Sequence, residues 1–273
     1  MNWFGPLTIA LGFVGYALGT YLARKSTSQH STSALACILV ALVIPAAAYD
    51  LYYFKILGEP IWLYQLRSVP GSELLAPLSG LLAGWIQVRL TPRLTLSPLG
   101  KRFLMPLILA FGLALPYLKP LLRPLPSSTL REQWKGEACL QSTASTCGPA
   151  AVATIVRSLG GHLSEAELAR EAFTSGRGTE NWYLARALRR HGWQTEFLLG
   201  DPRSVRLPAV AGVRLKILGN SGHFIALLAR HGDDFVLADP MEGRLTTTLS
   251  EMQAMYDFTG FFMTIRPGPA GPG

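Results

Sequence analysis

Four nearly charge-free stretches in the first 122 residues constrain this chain more than any other feature of it. Phe4 to Ala23 runs for 20 residues without Asp, Glu, Lys or Arg, enough for a helix to cross a bilayer. No basic residue precedes it, so it reads as a span and not as a signal peptide. A second run extends from Ala34 to about Phe54. Asp50 is its only acid and suits an interfacial or helix-facing place better than a transport role. Leu74 to Val88, broken by Pro77 and Gly80, is the third, and Phe103 to Leu118 the fourth. These two read as spans, with a buried or re-entrant hairpin as the alternative. Hydrophobic residues make up 49% of the chain and charged ones only 15%, against roughly a quarter charged in soluble domains. Part of the chain is therefore expected to sit in lipid.

Charge separates the two halves. Through Arg123 there are ten Lys/Arg against three Asp/Glu, and beyond it fifteen against fourteen. The basic excess flanks the apolar runs and reads as membrane topology. No Lys/Arg cluster interleaved with aromatics occurs in the second half, so nucleic acid is not an expected partner. The first and third loops hold Arg24, Lys25, Arg89, Arg93, Lys101 and Arg102, the second only Lys55 and Arg67. By the positive-inside rule the first and third loops face the cytoplasm. With four spans, everything after Lys119 then lies on the periplasmic or extracellular side of an inner membrane; one span fewer reverses this. Trp62, Tyr64 and Arg67 of the second loop suit the headgroup level. Pro124, Pro126 and Ser127-Ser128 mark residues 123–136 as a linker between a helical membrane region, 1–122, and the second half of the chain. The Gly/Pro tail 268–273 reads as disordered.

Beyond the linker the pattern is that of a compact α+β unit. Gly148-Pro149 opens a helix that Gly160-Gly161 stops; proline is at home in a first helical turn. Ser164-Glu165-Ala166-Glu167 starts a second helix, running to about Phe173. Thr179 precedes a third, Glu180 to His191, which Gly192 closes. Strands are expected over Trp193–Leu199, Ala209–Ile217 and His223–Arg230, the last turning at Gly232-Asp233 into Phe235–Ala238. Arg244–Leu249 and Phe258–Ile265 complete the set, with a brief helix opening at Ser250. Helices first and an antiparallel sheet second make α+β, with no βαβ alternation.

Three cysteines, Cys37, Cys139 and Cys147, are too few for a disulfide framework, and their spacing does not suit zinc. A Cys139–Cys147 disulfide stays open if the region meets an oxidising space. Cys147 stands where first-turn N–H groups and the helix dipole favour negative charge. A thiol becomes a nucleophile when a base takes its proton and a third group holds that base. His223, after Ser221-Gly222, is the candidate base. Asp239, sixteen residues on and next to Pro240, is the candidate orienter, brought beside His223 by the hairpin. Gln141, six residues before Cys147, has an amide able to donate to an oxyanion. Each has a plainer reading as a buried thiol, a structural histidine or an Asp-Pro turn; their joint order is what favours chemistry. His162, His191 and His231 read as surface residues, and Trp182, Tyr183 and Trp193 as core or cleft wall. No metal or other cofactor is expected.

The runs Cys139-Leu140-Gln141, Thr146-Cys147-Gly148-Pro149-Ala150-Ala151, Ser164-Glu165-Ala166-Glu167-Leu168-Ala169, Gly178-Thr179, Gly222-His223-Phe224 and Ala238-Asp239-Pro240 closely resemble the C39 cysteine peptidases. These are papain-like domains best known for removing double-glycine leaders from bacteriocin precursors. The resemblance covers residues 137–265. It implies a papain-like peptidase domain, 137–267, with Cys147 as nucleophile, His223 as general base, Asp239 as its orienter and Gln141 in the oxyanion hole. Well-known members are fused to an ABC transporter. This chain has no G-x-x-x-x-G-K-[ST] phosphate loop, so no nucleotide is expected, and a separate exporter or membrane partner is left room. The resulting expectation is a bilayer-anchored cysteine endopeptidase acting on a peptide or protein precursor, a leader peptide among the candidates. An acyltransferase or amidase on the same scaffold, or a non-catalytic peptide-binding module, are the alternatives.

Overall fold

The computed structural model describes residues 4–26, 33, 36–43, 60–216, 219 and 221–269. It forms two units, one of Met1–Leu63 and Pro70–Lys119, the other of Tyr64–Val69 and Pro120–Gly273. The expected tail, 268–273, lies outside the described residues from 270 on.

The first unit contains α1 (Phe4–Lys25), a helical stretch over 36–43, α3 (Ala76–Arg89) and α4 (Pro98–Leu122). Gly5–Lys25, Ser72–Arg93 and Pro98–Leu122 are each long and apolar enough to cross a membrane. The second expected span, Ala34 to Phe54, falls largely outside the described residues. Small residues set the packing of α1 on α3. A methyl group at Gly80 would collide with the Gly12 carbonyl oxygen, one at Gly15 with that of Pro77, and one at Gly84 with that of Tyr16. Glycines spaced three and four apart let the two backbones touch, so close van der Waals contact holds this pair of helices. Across from this seam, Val14, Leu107, Ile108 and Phe111 remain more than half exposed, an apolar outer surface.

The second unit is α+β, with the helices first and the sheet after them. A short hairpin, β1 (Gln133–Lys135) with β2 (Ala138–Leu140), leads into α5 (Cys147–Ser158), α6 (Glu165–Glu171) and α7 (Asn181–Arg190). Six antiparallel strands come next: β3 (Trp193–Leu199), β4 (Ala209–Leu215), β5 (Ser221–His231), β6 (Asp234–Asp239), β7 (Gly243–Thr248) and β8 (Tyr256–Pro267). Their order is β3-β8-β4-β5-β6-β7, so the last strand enters the middle of the sheet. Helix α8 (Leu249–Met255) sits between β7 and β8, opened by a capping box of Thr248 and Glu251. Its Leu249 and Met252 join Val213, Ile225, Leu237, Tyr256 and Phe262 in one core cluster on a face of the sheet.

Residues of the expected second loop behave differently from a headgroup belt. Ile61–Ser68 is a helix, α2, and Tyr64 and Arg67 are each only 2% exposed. The Tyr64 ring packs against Trp182, Phe197 and Phe261, with centroids 5.7, 5.6 and 5.1 Å away. Arg186 donates to the carbonyls of Arg67 and Val69, both at 2.9 Å, and Arg189 to that of Ser68 at 3.0 Å. Two guanidinium groups of α7 thus satisfy carbonyls that a helix end leaves without intrahelical partners. Short sequence distance to apolar runs suggests an interfacial loop; long-range aromatic packing decides otherwise.

Candidate active site

Cys147 is the first residue of α5, and everything from Cys147 to Val156 is buried. Thr146 occupies the N-cap, yet its hydroxyl makes no cap bond to the helix. It turns back instead, accepting from the Thr143 N–H and donating to the Thr143 carbonyl, both at 3.0 Å. By contrast Ser164 caps α6 through the Glu167 N–H. The first turn of α5 therefore keeps its N–H groups for a ligand, where a conventional cap would occupy one.

His223 begins the buried part of β5 and is 5% exposed. Its Nε2 donates to Asp239 Oδ1 at 2.9 Å, and the ring is also hydrogen-bonded to the Cys147 side chain. With Nε2 committed to Asp239, the nitrogen left for the sulfur is Nδ1. Burial opposes a charge on the ring. The hydrogen bonds to Asp239 and Cys147 and the charges of both outweigh it, raising the His223 pKa from 6.5 to about 9. Asp239 is 1% exposed, and burial alone would raise its pKa. The hydrogen bond and charge of His223, a hydrogen bond from Tyr256 and one from the Met241 N–H lower it below 3.8 instead.

The His–Asp pairing depends on an irregularity in the hairpin. From the turn, His231 pairs Asp234, Arg230 pairs Phe235 and Ala229 pairs Val236; the register then shifts, and Leu227 pairs Leu237 and Ala226 pairs Ala238. Continued, the shifted register sets Asp239 across from Ile225, on the face that also carries His223. Had the register of the turn end run on unshifted, with Leu228 across from Leu237, Asp239 would lie across from Ala226, and His223 would point to the other face. A one-residue slip reverses every side chain of a strand. The uninterrupted hairpin expected from the sequence would have kept the two apart.

Gln141 is joined to this group through the main chain, its N–H donating to the carbonyl of Pro240 at 2.8 Å. Its side-chain Oε1 is buried with no hydrogen-bond partner among the described residues. An unpaired buried polar atom costs about 1–3 kcal/mol, so the fold itself gains nothing from this amide's placement. The next residue is held as firmly: the fully buried Glu165 carboxylate accepts from the Ser142 N–H at 2.7 Å and from the Ser142 hydroxyl. Glu165 and Tyr256 are the two members that sequence reasoning misses. Glu165 reads simply as part of a helix start, and Tyr256, whose hydroxyl reaches Asp239 Oδ2 at 2.6 Å, carries no motif at all.

The remaining candidates fall outside this group. Cys139 is 1% exposed, and its thiol pKa is pushed up by burial and by the charges of Glu165 and Glu132. All three cysteines are free thiols. His162 and His231 are exposed, and Trp182, Tyr183 and Trp193 are core. Glu167, Glu171 and His191 bring ligand atoms within 4.8 Å of one another. Arg190 already sits 2.9 Å from Glu171, and His191 bonds the other Glu171 oxygen at 2.9 Å, so both oxygens of Glu171 already have protein partners.

Comparison with known proteins gives the family. The family model of the peptidase C39 family matches residues 135–270. An uncharacterized protein of Methanothermobacter marburgensis is 37% identical over 105 residues, covering 38% of this chain and 72% of the relative. The chain belongs to the peptidase C39 family. A second uncharacterized protein, from Methanothermobacter thermautotrophicus, is 33% identical over 107 residues, covering 39% of this C39 chain and 73% of the relative. Among solved C39 structures, a double glycine motif protease from an AMS/PCAT transporter, in complex with the leader peptide, matches at 18% identity. It covers 50% of this chain and 93% of that one, with a TM-score of 0.41. The peptidase domain of Streptococcus ComA, a bi-functional ABC transporter, matches at 20% identity over 47% of this chain and 96% of that one, with a TM-score of 0.40.

Proposed function

We propose that this C39 chain is a membrane-anchored cysteine endopeptidase, and the observation that carries the proposal is the buried Cys147–His223–Asp239 relay at an uncapped helix start. The Cys147 thiolate attacks a peptide carbonyl and forms a tetrahedral adduct. Its oxyanion is met by the Cys147 N–H and the Gln141 side-chain amide, at about 2.7–4 kcal/mol of stabilisation per donor. His223 gives its proton to the leaving amine, the C–N bond breaks, and a thioester remains on Cys147. His223 then takes a proton from water as it attacks the thioester, which releases the carboxylate product and the thiol. Asp239 holds the ring and stabilises its charged form throughout.

The first unit, residues 1–63 and 70–119, serves as the anchor. Three helices of spanning length with apolar outer surfaces support that role. Family membership makes a precursor with a double-glycine leader the first substrate class to offer.

The test is iodoacetamide labelling of the full chain in detergent, resolved by peptide mass spectrometry. Cys147 should react at least about 100-fold faster than Cys139, and His223→Ala should remove most of that difference. Slow labelling of both thiols, or a rate at Cys147 indifferent to His223→Ala, sinks the reading.

A further inference from the structure

We propose that Tyr256 is a positioning residue of the C39 site, its hydroxyl holding the Asp239 carboxylate in the orientation that presents Oδ1 to His223. The proposal rests on the relay described above and deepens it. An aspartate carboxylate turns about a soft two-fold torsion, so one hydrogen bond alone does not decide which oxygen faces a neighbour. Here both oxygens are claimed. Oδ1 accepts from His223 Nε2 at 2.9 Å and from the Met241 N–H at 2.7 Å. Oδ2 accepts from Tyr256 Oη at 2.6 Å, a short bond of the charge-assisted kind.

Tyr256 is built to donate and do nothing else. It stands where α8 passes into β8, 4% exposed, in the same cluster as Ile225 and Leu237 and thus on the sheet face that carries His223 and Asp239. Burial and the negative charges of Asp239 and Glu242 push its phenol pKa up, so it keeps its proton wherever the site operates. The charged and titratable groups acting on Asp239 and its partners are then His223 on β5, Cys147 on α5, Tyr256 on β8 and Glu242 in the β6–β7 turn. A phenylalanine would fill the same space and leave Oδ2 buried without its donor. The carboxylate then has only the Met241 N–H on Oδ1 to keep it from turning away from the ring.

The experiment is the pH profile of Cys147 alkylation by iodoacetamide in the full detergent-solubilised chain. Wild-type protein should show an inflection near 9, where His223 loses its proton. In Tyr256→Phe that inflection should move down by about a unit or more while the melting transition stays near wild type. In an Asp239→Asn background, where no carboxylate remains to be held, Tyr256→Phe should change the profile less than about twofold at any pH. A folded Tyr256→Phe protein with an unmoved inflection overturns the proposal, as does an equal effect in both backgrounds. Unfolding of Tyr256→Phe beside a folded Asp239→Asn would assign the hydroxyl to packing and overturn it too. An unreactive Cys147 in wild type fails the peptidase reading first and this proposal with it; a reactive wild type with an unmoved variant fails only the role of Tyr256.

Discussion

A histidine titrating near 9 and an aspartate held below 3.8 are two accounts of one interaction, and each has its own sign. His223 rises on folding, so its stabilising share is complete below about 6.5 and is lost as pH climbs through about 9. Asp239 falls on folding, so its share is present above 3.8 and disappears as acid takes the pH below its folded value. Activity should track the same groups. Between these limits the imidazolium can give its proton to the leaving amine, and above about 9 it has none to give. The expected profile of kcat/KM on a cleavable peptide is thus a plateau with an alkaline fall centred near 9. A fall centred near 6.5 would mean that Asp239 and Cys147 do not support the ring in solution. Gln141, Cys147, His223 and Asp239 could all be picked out from the sequence as candidates, because chemistry restricts which residue types suit the proposed roles. Glu165 and Tyr256 were not: a glutamate in a first helical turn and a tyrosine in a strand are common for unrelated reasons, and only their partners distinguish them.

Among the elements, α5 and the β5–β6 hairpin place the relay, and they were legible to different depths. The bounds of α5, α6 and α7 came out within a residue or two, since glycine, proline and caps act locally. The hairpin was also foreseen, its turn at Gly232-Asp233 included. Its bulge was not, because the sequence Ala226-Leu227-Leu228-Ala229 is apolar on both sides and does not mark which residue is extra. Deleting Leu228 should leave a regular ladder that keeps Leu227 across from Leu237, and so keeps Asp239 on the face of His223. We expect a loss well under the roughly 100-fold of a broken His–Asp pair, with the far-ultraviolet circular dichroism of a folded sheet. A loss of about 100-fold or more would show that the deletion is absorbed elsewhere and that the pairing of Leu227 with Leu237 is not kept.

For the whole molecule the informative segment is Tyr64–Val69, part of the second unit although helices of the first unit come after it in the chain. Tyr64 is buried among three aromatic rings, and truncations of this kind cost about 3–5 kcal/mol. Tyr64→Ala should lower the melting temperature of the second unit accordingly, and residues 123–273 expressed alone should be less stable than the full chain. A truncated protein as stable as the full one would show the segment to be dispensable. A second consequence is topological. On the membrane-anchor proposal, a segment buried in a folded unit lies on the same side of the bilayer as that unit, so residues 70–119 should cross an even number of times. Reporter fusions placed after Ser68 and after Lys119 should give the same sidedness; opposite signals would contradict the fold.

Amino-acid order alone was enough for the α+β class of the second half, for the starts of α5, α6 and α7 and for naming four candidate site residues. All of these rest on local rules: hydrophobic length, periodicity, capping and the few side chains able to do thiol chemistry. Packing in three dimensions chose whatever depends on distant partners. It set the register that puts Asp239 on the face of His223, the hydroxyl of Tyr256 behind that carboxylate, Glu165 under Ser142, and the docking of Tyr64 into a core assembled more than a hundred residues later. Each is a choice among backbone arrangements that local propensity leaves nearly equal, settled by packing and by the cost of leaving a buried polar group unpaired.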